Sequence, residues 1–345
     1  MKNVLVYSLA LVIATAPLLI NTACNKSSSS SSDLVGNWAI SDYFDGPARS
    51  EAALFQIQDT VFVGTGLSDI KRFADFWKYS LDKRYWTRIK DFGGGLRSSA
   101  VAFALGKKGY VGTGYNDQTL YTKDMWEYSV DSNGWAPKND FGGTARVDAV
   151  AFVDANGKAY IATGYDDSFL KDVWQYNQAA DSWTQKAGIS GSKRREAITF
   201  TIGGKVYLIS GNNNGAALND MQWYDPGTDV WTPLRKLTNT SDDSYDDKYT
   251  SIIRYNAAAF VMNGKGYLAT GENGSLNSHT WEYDAAADQW TEKTAFSGTA
   301  RTGALGFSLA GGTHGYILAG RSGTQAFDNM YELQPDIADD DNDNQ

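Results

Sequence analysis

The sequence repeats itself six times. The phrase Arg-x-x-Ala-x-x-Phe begins at Arg49, Arg97, Arg146, Arg194, Arg254 and Arg301, and every copy keeps its alanine and phenylalanine at the same offsets. An aromatic residue then leads to a glycine four residues on, in Phe62 to Gly66, Tyr110 to Gly114, Tyr160 to Gly164, Tyr207 to Gly211, Tyr267 to Gly271 and Tyr316 to Gly320. Next come Asp75-Phe76-Trp77, Asp124-Met125-Trp126 and Asp172-Val173-Trp174, with looser copies at Asp220, His279 and Asn329. In five copies a tyrosine is followed seven residues later by a tryptophan, in Tyr79/Trp86, Tyr128/Trp135, Tyr176/Trp183, Tyr224/Trp231 and Tyr283/Trp290. A period of roughly fifty residues implies one supersecondary unit, copied and stacked so that neighbours bury each other's apolar faces.

Each copy holds four short segments rich in β-branched, aromatic and small apolar residues, separated by turn formers. Turns such as Asn156-Gly157 and Gly203-Gly204 suit tight antiparallel hairpins. Poor alternation in stretches such as Ala149 to Phe152 fits strands covered on both faces. The expected fold is therefore all-β: a six-bladed β-propeller over residues 34–335, each blade made of four antiparallel strands, a to d. The sixth copy, ending at Leu333, has no tryptophan of its own, but Trp38 lies eleven residues before Arg49, the interval that separates Trp86 from Arg97. Residues near Leu34 to Ile40 are thus expected to return as the outermost strand of the last blade, closing the ring and covering an open edge. The tryptophans read as interblade packing. Trp223 is one residue out of phase, with Gln222 in its place, so that blade is expected to pack differently.

The upstream arginine, the glycine and the downstream Tyr and Trp pair, recurring in register over residues 34–333, resemble the kelch repeat family. That family usually ends its second strand with two glycines. Here the first is replaced by Thr65, Thr113, Thr163, Ser210, Thr270 or Ala319, which marks a divergent branch. Kelch propellers include cytoplasmic adaptors, periplasmic sialic-acid epimerases and the copper enzyme galactose oxidase, so the resemblance implies a fold and leaves the function open. A copper site of the oxidase type needs two histidines, tyrosines and a cysteine crosslinked to one of them. This chain has only His279, which occupies the repeat's Asp position, and His314, while its single cysteine, Cys24, precedes the propeller. Neither copper nor any other cofactor is expected.

Lys2, the apolar stretch Val4 to Ile20 and the sequence Asn21-Thr22-Ala23-Cys24 read as an export signal over residues 1–23. A lone cysteine allows no internal disulfide. The segment resembles a bacterial lipoprotein signal, with Asn21 where leucine is usual, so Cys24 is expected to carry a lipid and Ser27 to Ser32 to act as a tether. This implies the bacterial cell envelope, facing periplasm or cell exterior, with membrane contact through the anchor only. The net charge of -9, with lysines and arginines scattered, argues against a nucleic-acid partner. Residues 336–345, rich in aspartate, read as a disordered acidic tail.

Clustered arginines suggest a sialidase-like carboxylate clamp, but a residue present in every blade serves the blade, so the six motif arginines are expected to be structural or to line the channel mouth. Glu51, Asp148 and Glu196, two positions on, would lie on the same side of a strand and pair with them. The b–c and d–a connections leave a blade on one face, and the b–c loops vary. Ligand-binding candidates there are Arg72, Phe73, Tyr115, Asn116, Tyr121, Tyr165, Asp166, Phe169, Asn213, Glu272 and Arg321. Trp231 to Arg254 spans 23 residues, and the added residues, which include Tyr245 and four aspartates, suggest a lid or contact arm on the same face. Their spacing matches no EF-hand loop. Two functions are open: a recognition module binding glycan or an envelope or extracellular protein, and a sugar-active enzyme similar to the sialic-acid epimerases. The first is favoured, because no acid and base are visibly paired in the sequence.

Overall fold

Besides Met1, a computed structural model of the chain describes residues 34–238, 246–309 and 311–340. The export signal, Cys24, the serine tether and Tyr245 lie outside the described residues.

Six four-stranded antiparallel sheets follow one another along the chain. Their a strands are Ala53–Ile57, Val101–Leu105, Val150–Val153, Ile198–Ile202, Ala258–Met262 and Leu305–Ser308. These pack side by side around the axis. Their alternating exposure turns small residues such as Ala102, Ala104, Ala151 and Ala259 to the channel, while the intervening residues are buried between sheets. The motif phenylalanine is always one of the buried set. Each pairs in register with the strand b aromatic and rests against it, with centroids 4.9 Å apart for Phe55 and Phe62 and 5.1 Å for both Phe103 with Tyr110 and Phe307 with Tyr316. The Tyr and Trp of strands c and d do likewise, at 4.7 Å for Tyr79 and Trp86 and 4.8 Å for Tyr176 and Trp183. Each hydrophobic cluster draws its side chains from two adjacent blades, so the cores lie between sheets.

Asn37–Tyr43 pairs antiparallel with Asn329–Gln334 and supplies strand d of the sixth blade. Trp38 faces Leu333, the residue at the repeat's tyrosine position. It is fully buried, meets Phe296 edge-on at 5.2 Å and donates its indole N–H to Thr280 Oγ1 at 3.2 Å. The start of the acidic tail belongs to this closure: Gly36 N donates to Ile337 O at 2.9 Å and Asp340 N to Asn37 Oδ1 at 3.1 Å. In the fourth blade Gln222 takes the tryptophan position and forms two hydrogen bonds with the Ser190 backbone, at 2.8 and 2.9 Å. Trp223 instead lies under the Lys205 ammonium, 3.8 Å from its ring centroid.

The motif arginines are buried, none more than 1% exposed. Arg49, Arg97, Arg146 and Arg194 form two-pronged pairs with Asp75, Asp124, Asp172 and Asp220, and each also donates to the carbonyl of the residue after strand b. That residue is Thr65, Thr113, Thr163 or Ser210, and its φ lies between 48° and 62°. A non-glycine residue there costs about 1–3 kcal/mol, and holding its carbonyl against a guanidinium is what keeps the strained turn in place. Glycine would hold such a φ without that cost. Burial alone would raise the Asp75, Asp124 and Asp172 carboxyls; the facing guanidiniums overcome it and hold all three below the usual range.

Candidate functional site

The residue two after each motif arginine is Glu51, Ser99, Asp148, Glu196, Asn256 or Gly303, and all six have φ between 53° and 64°. Each donates its backbone N–H to the carbonyl of the equivalent residue in the preceding blade, at 2.9 to 3.3 Å, and Glu51 N completes the circuit on Gly303 O. These residues form a closed hydrogen-bonded ring around the channel mouth. The expected pairing of Glu51, Asp148 and Glu196 with the motif arginines is therefore not what the structure has. A left-handed residue does not keep strand alternation, and these carboxylates line the mouth instead.

Their partners are other groups. Glu51 accepts from Ser99 Oγ at 2.9 Å and from Arg321 Nη2 at 3.1 Å. Glu196 accepts from Asn212 Nδ2 at 2.9 Å, and Arg195 Nη1 lies 3.5 Å from Asp148 Oδ2. Burial, then the charges of Glu196 and Glu51, push the Asp148 carboxyl up to about 7, and burial raises Glu196 as well. The folded protein therefore holds a proton on Asp148 that the unfolded chain releases near pH 4. The stability this gives is full below pH 4 and is lost as the pH rises toward 7. The melting temperature is expected to be lower at pH 8 than at pH 5.5, and Asp148→Asn to recover about 3–6 °C of it at pH 8. Thermal melts of both proteins at the two pH values check this; an equal loss in the variant assigns the slope to other groups.

Beside the mouth, and sharing Glu51, Ser99, Asp148 and Glu196 with it, is a recess of about 260 Å³ lined by Arg72, Tyr115, Tyr121, Tyr165 and Arg195. The b–c connections that build it are two-residue ribbons, Leu67–Ser68 with Lys71–Arg72 and Tyr115–Asn116 with Leu120–Tyr121, and the bridge between Tyr165 and Phe169. The rings run edge to face, with Tyr115 and Tyr121 at 6.3 Å, Tyr121 and Tyr165 at 6.2 Å, and Tyr165 and Phe169 at 5.2 Å. Arg72 caps Tyr115 at 4.2 Å, and Arg195 caps Tyr165 at 5.2 Å. Arg72 also pairs with Asp117, and Tyr121 donates to Asp167 at 3.1 Å.

The other candidates are placed differently. Phe73 is buried against the Arg49 guanidinium, 4.6 Å from its ring, and belongs to the scaffold. Asn116 and Asp166 cap their own turns by accepting from Thr119 N and Ser168 N. Arg321 and Glu272 stand on the far side of the mouth, paired with Glu51 and Thr302. Asn213 sits on the ribbon of the fourth blade, outside the recess. Arg195 was missed, although it follows Arg194 and makes the only arginine doublet among the six motif copies.

The insertion is not a lid over its described part. Asp246–Ile252 is a 3₁₀ helix whose Tyr249 and Ile252 are buried; Tyr249 meets Trp281 edge-on at 5.3 Å. Tyr249 stands five residues before Arg254, where the other blades have Phe44, Phe92, Phe141, Ile189 and Phe296. Where the fifth blade has His279 in place of aspartate, other acceptors stand in: the Ser251 hydroxyl takes the Trp281 indole N–H at 2.9 Å, the Ser251 carbonyl takes Arg254 Nη2, and the His279 carbonyl takes Arg254 Nη1 at 2.9 Å.

No curated protein sequence matches the chain significantly. Among solved structures, that of YjhT superposes with a TM-score of 0.67 at 18% identity, over 83% of this chain and 95% of the other, which establishes likeness of fold. The kelch motif matches residues 193–238, the fourth blade. The remaining blades repeat that blade's framework in register around the ring, and the chain is a six-bladed β-propeller whose fourth blade carries a kelch motif.

Proposed function

We propose that this propeller is a recognition module that holds a saccharide in the recess and channel mouth on the b–c and d–a face. The observation that carries the reading is the line Tyr115, Tyr121, Tyr165 and Phe169 running beside the carboxylates of the mouth. Aromatic faces stack on the apolar side of a pyranose, and carboxylates accept from its hydroxyls. The tyrosines lie outside the interblade cores, so Tyr115→Ala with Tyr165→Ala is expected to weaken binding at least tenfold and move the melting temperature by less than about 2 °C. A glycan array followed by calorimetry on both proteins tests this; unchanged affinity removes the recess from the site.

A second reading, a sugar-active enzyme, is favoured by one feature. Asp148, held near 7 beside Glu196, is a carboxyl able to give a proton next to one able to take it. Anomer or epimer exchange followed by NMR, lost in Asp148→Asn, would move the protein to this class; binding without exchange keeps it a receptor. We further propose display on the cell envelope through a lipid on Cys24. Cys24→Ser is expected to release the protein into the soluble fraction, and equal membrane retention of variant and parent after washing refutes the anchor.

A further inference from the structure

We infer that the recess selects uncharged saccharides and turns away those bearing a carboxylate. This rests on the recognition reading above and adds the class of ligand. Two sets of arginines decide it. The six motif guanidiniums are the obvious clamp for an acidic sugar, yet they are buried beneath the mouth. Four of them are committed to an aspartate, and Arg254 and Arg301 to carbonyl and amide oxygens. The guanidiniums that line the recess, Arg72 and Arg195, are already opposed by Asp117 and by Asp148 and Glu196, and Arg321, on the far side of the mouth, by Glu51. Glu272, across the mouth, and Asp167, beside Tyr121, add further acceptors. In the lining of the recess itself three carboxyls, Glu51, Asp148 and Glu196, face two guanidiniums, Arg72 and Arg195.

An incoming carboxylate must either break one of these pairs or sit among like charges in a partly desolvated cleft, and both are unfavourable. Asp148, raised first by burial and then by the charges of Glu196 and Glu51, shows both effects on a carboxyl the protein already contains. A sugar hydroxyl meets the opposite situation. It donates to carboxylate oxygens that have lone pairs to spare, and its ring stacks on Tyr115, Tyr121 or Tyr165 without displacing an ion pair.

The test is calorimetric titration of the full chain at pH 7.5 with oligosaccharide pairs that differ only in a terminal carboxylate: lactose against sialyllactose, and a hexose oligomer against its uronate-capped form. The neutral member of a pair is expected to bind at least tenfold more tightly, and Glu196→Gln to narrow the gap. Glu272→Gln is expected to narrow it in the same sense and serves if Glu196→Gln does not fold. Equal or tighter binding of the acidic members overturns the inference and leaves the recognition reading standing, as does a gap that neither variant changes. If no member of any pair binds, nor any glycan on the array, the recognition reading falls and this inference with it.

Discussion

Removal of residues 34–44 is expected to abolish cooperative unfolding and to send most of the product into the insoluble fraction. The segment is not an appendage. It is the outer strand of the sixth blade, paired from Asn37 against Gln334 to Tyr43 against Asn329, and its loss bares the edge of Asn329–Gln334 to other chains. It also takes Trp38 out of the core between the fifth and sixth blades, where Phe260, Tyr267, Phe296 and Leu333 pack with it. Truncating one such tryptophan costs about 3–5 kcal/mol, against a total stability of roughly 5–15 kcal/mol for a domain. Trp38→Ala alone should therefore lower the melting temperature severely, and the deletion should do more. The proper control removes residues 341–345 only, because Ile337 and Asp340 bond the closing strand. Differential scanning calorimetry of the three proteins decides the matter: a deletion that melts like the control would mean that the ring holds without its fourth outer strand.

How far the sequence could be read depended on whether a residue's role is copied from blade to blade. Blade number, strand count and the place of Trp38 follow from spacing alone, because every copy must present the same faces to its neighbours. The left-handed positions were harder to see. Glu51, Asp148 and Glu196 look like strand residues by offset, and only the φ values that let their amides join a ring show that they face the mouth. The recess was half legible. Tyr115, Tyr121 and Tyr165 stood out as aromatics in variable loops, but Phe73, chemically alike, was claimed by Arg49. Arg195 was masked by the motif arginine before it. The described end of the insertion, residues 246–252, is scaffold rather than lid, because Ser251 and Tyr249 restore contacts that the fifth blade would otherwise lack. A compensating change of that kind is visible only when both halves of the contact are in place.

The same framework sets the cost of touching the arginines. Arg146→Ala is expected to destabilise the propeller by about 3–5 kcal/mol, because it strands the half-buried Asp172 carboxylate and frees the Thr163 carbonyl at a left-handed residue. Asp172→Asn should cost comparably, since it leaves a fully buried guanidinium without its counterion. The fifth blade offers an internal comparison. Arg254 has no aspartate opposite it, makes its bonds to the carbonyls of Thr270, His279 and Ser251, and is pulled down by burial to about 9. Replacing it by methionine removes a buried charge that no carboxylate hydrogen-bonds and that Glu292 opposes only through its charge, so Arg254→Met should cost clearly less than Arg146→Met. Urea denaturation of the four variants measures these differences directly, and the double variant Arg146→Met with Asp172→Leu should recover part of the loss of either single change, as expected when both charges leave together. Binding measured on whichever variants remain folded separates scaffold from site. If Arg146→Met keeps its melting temperature but loses saccharide affinity, the motif arginines reach the ligand after all, and the channel mouth beneath the carboxylate ring, rather than the tyrosine recess, is where recognition occurs.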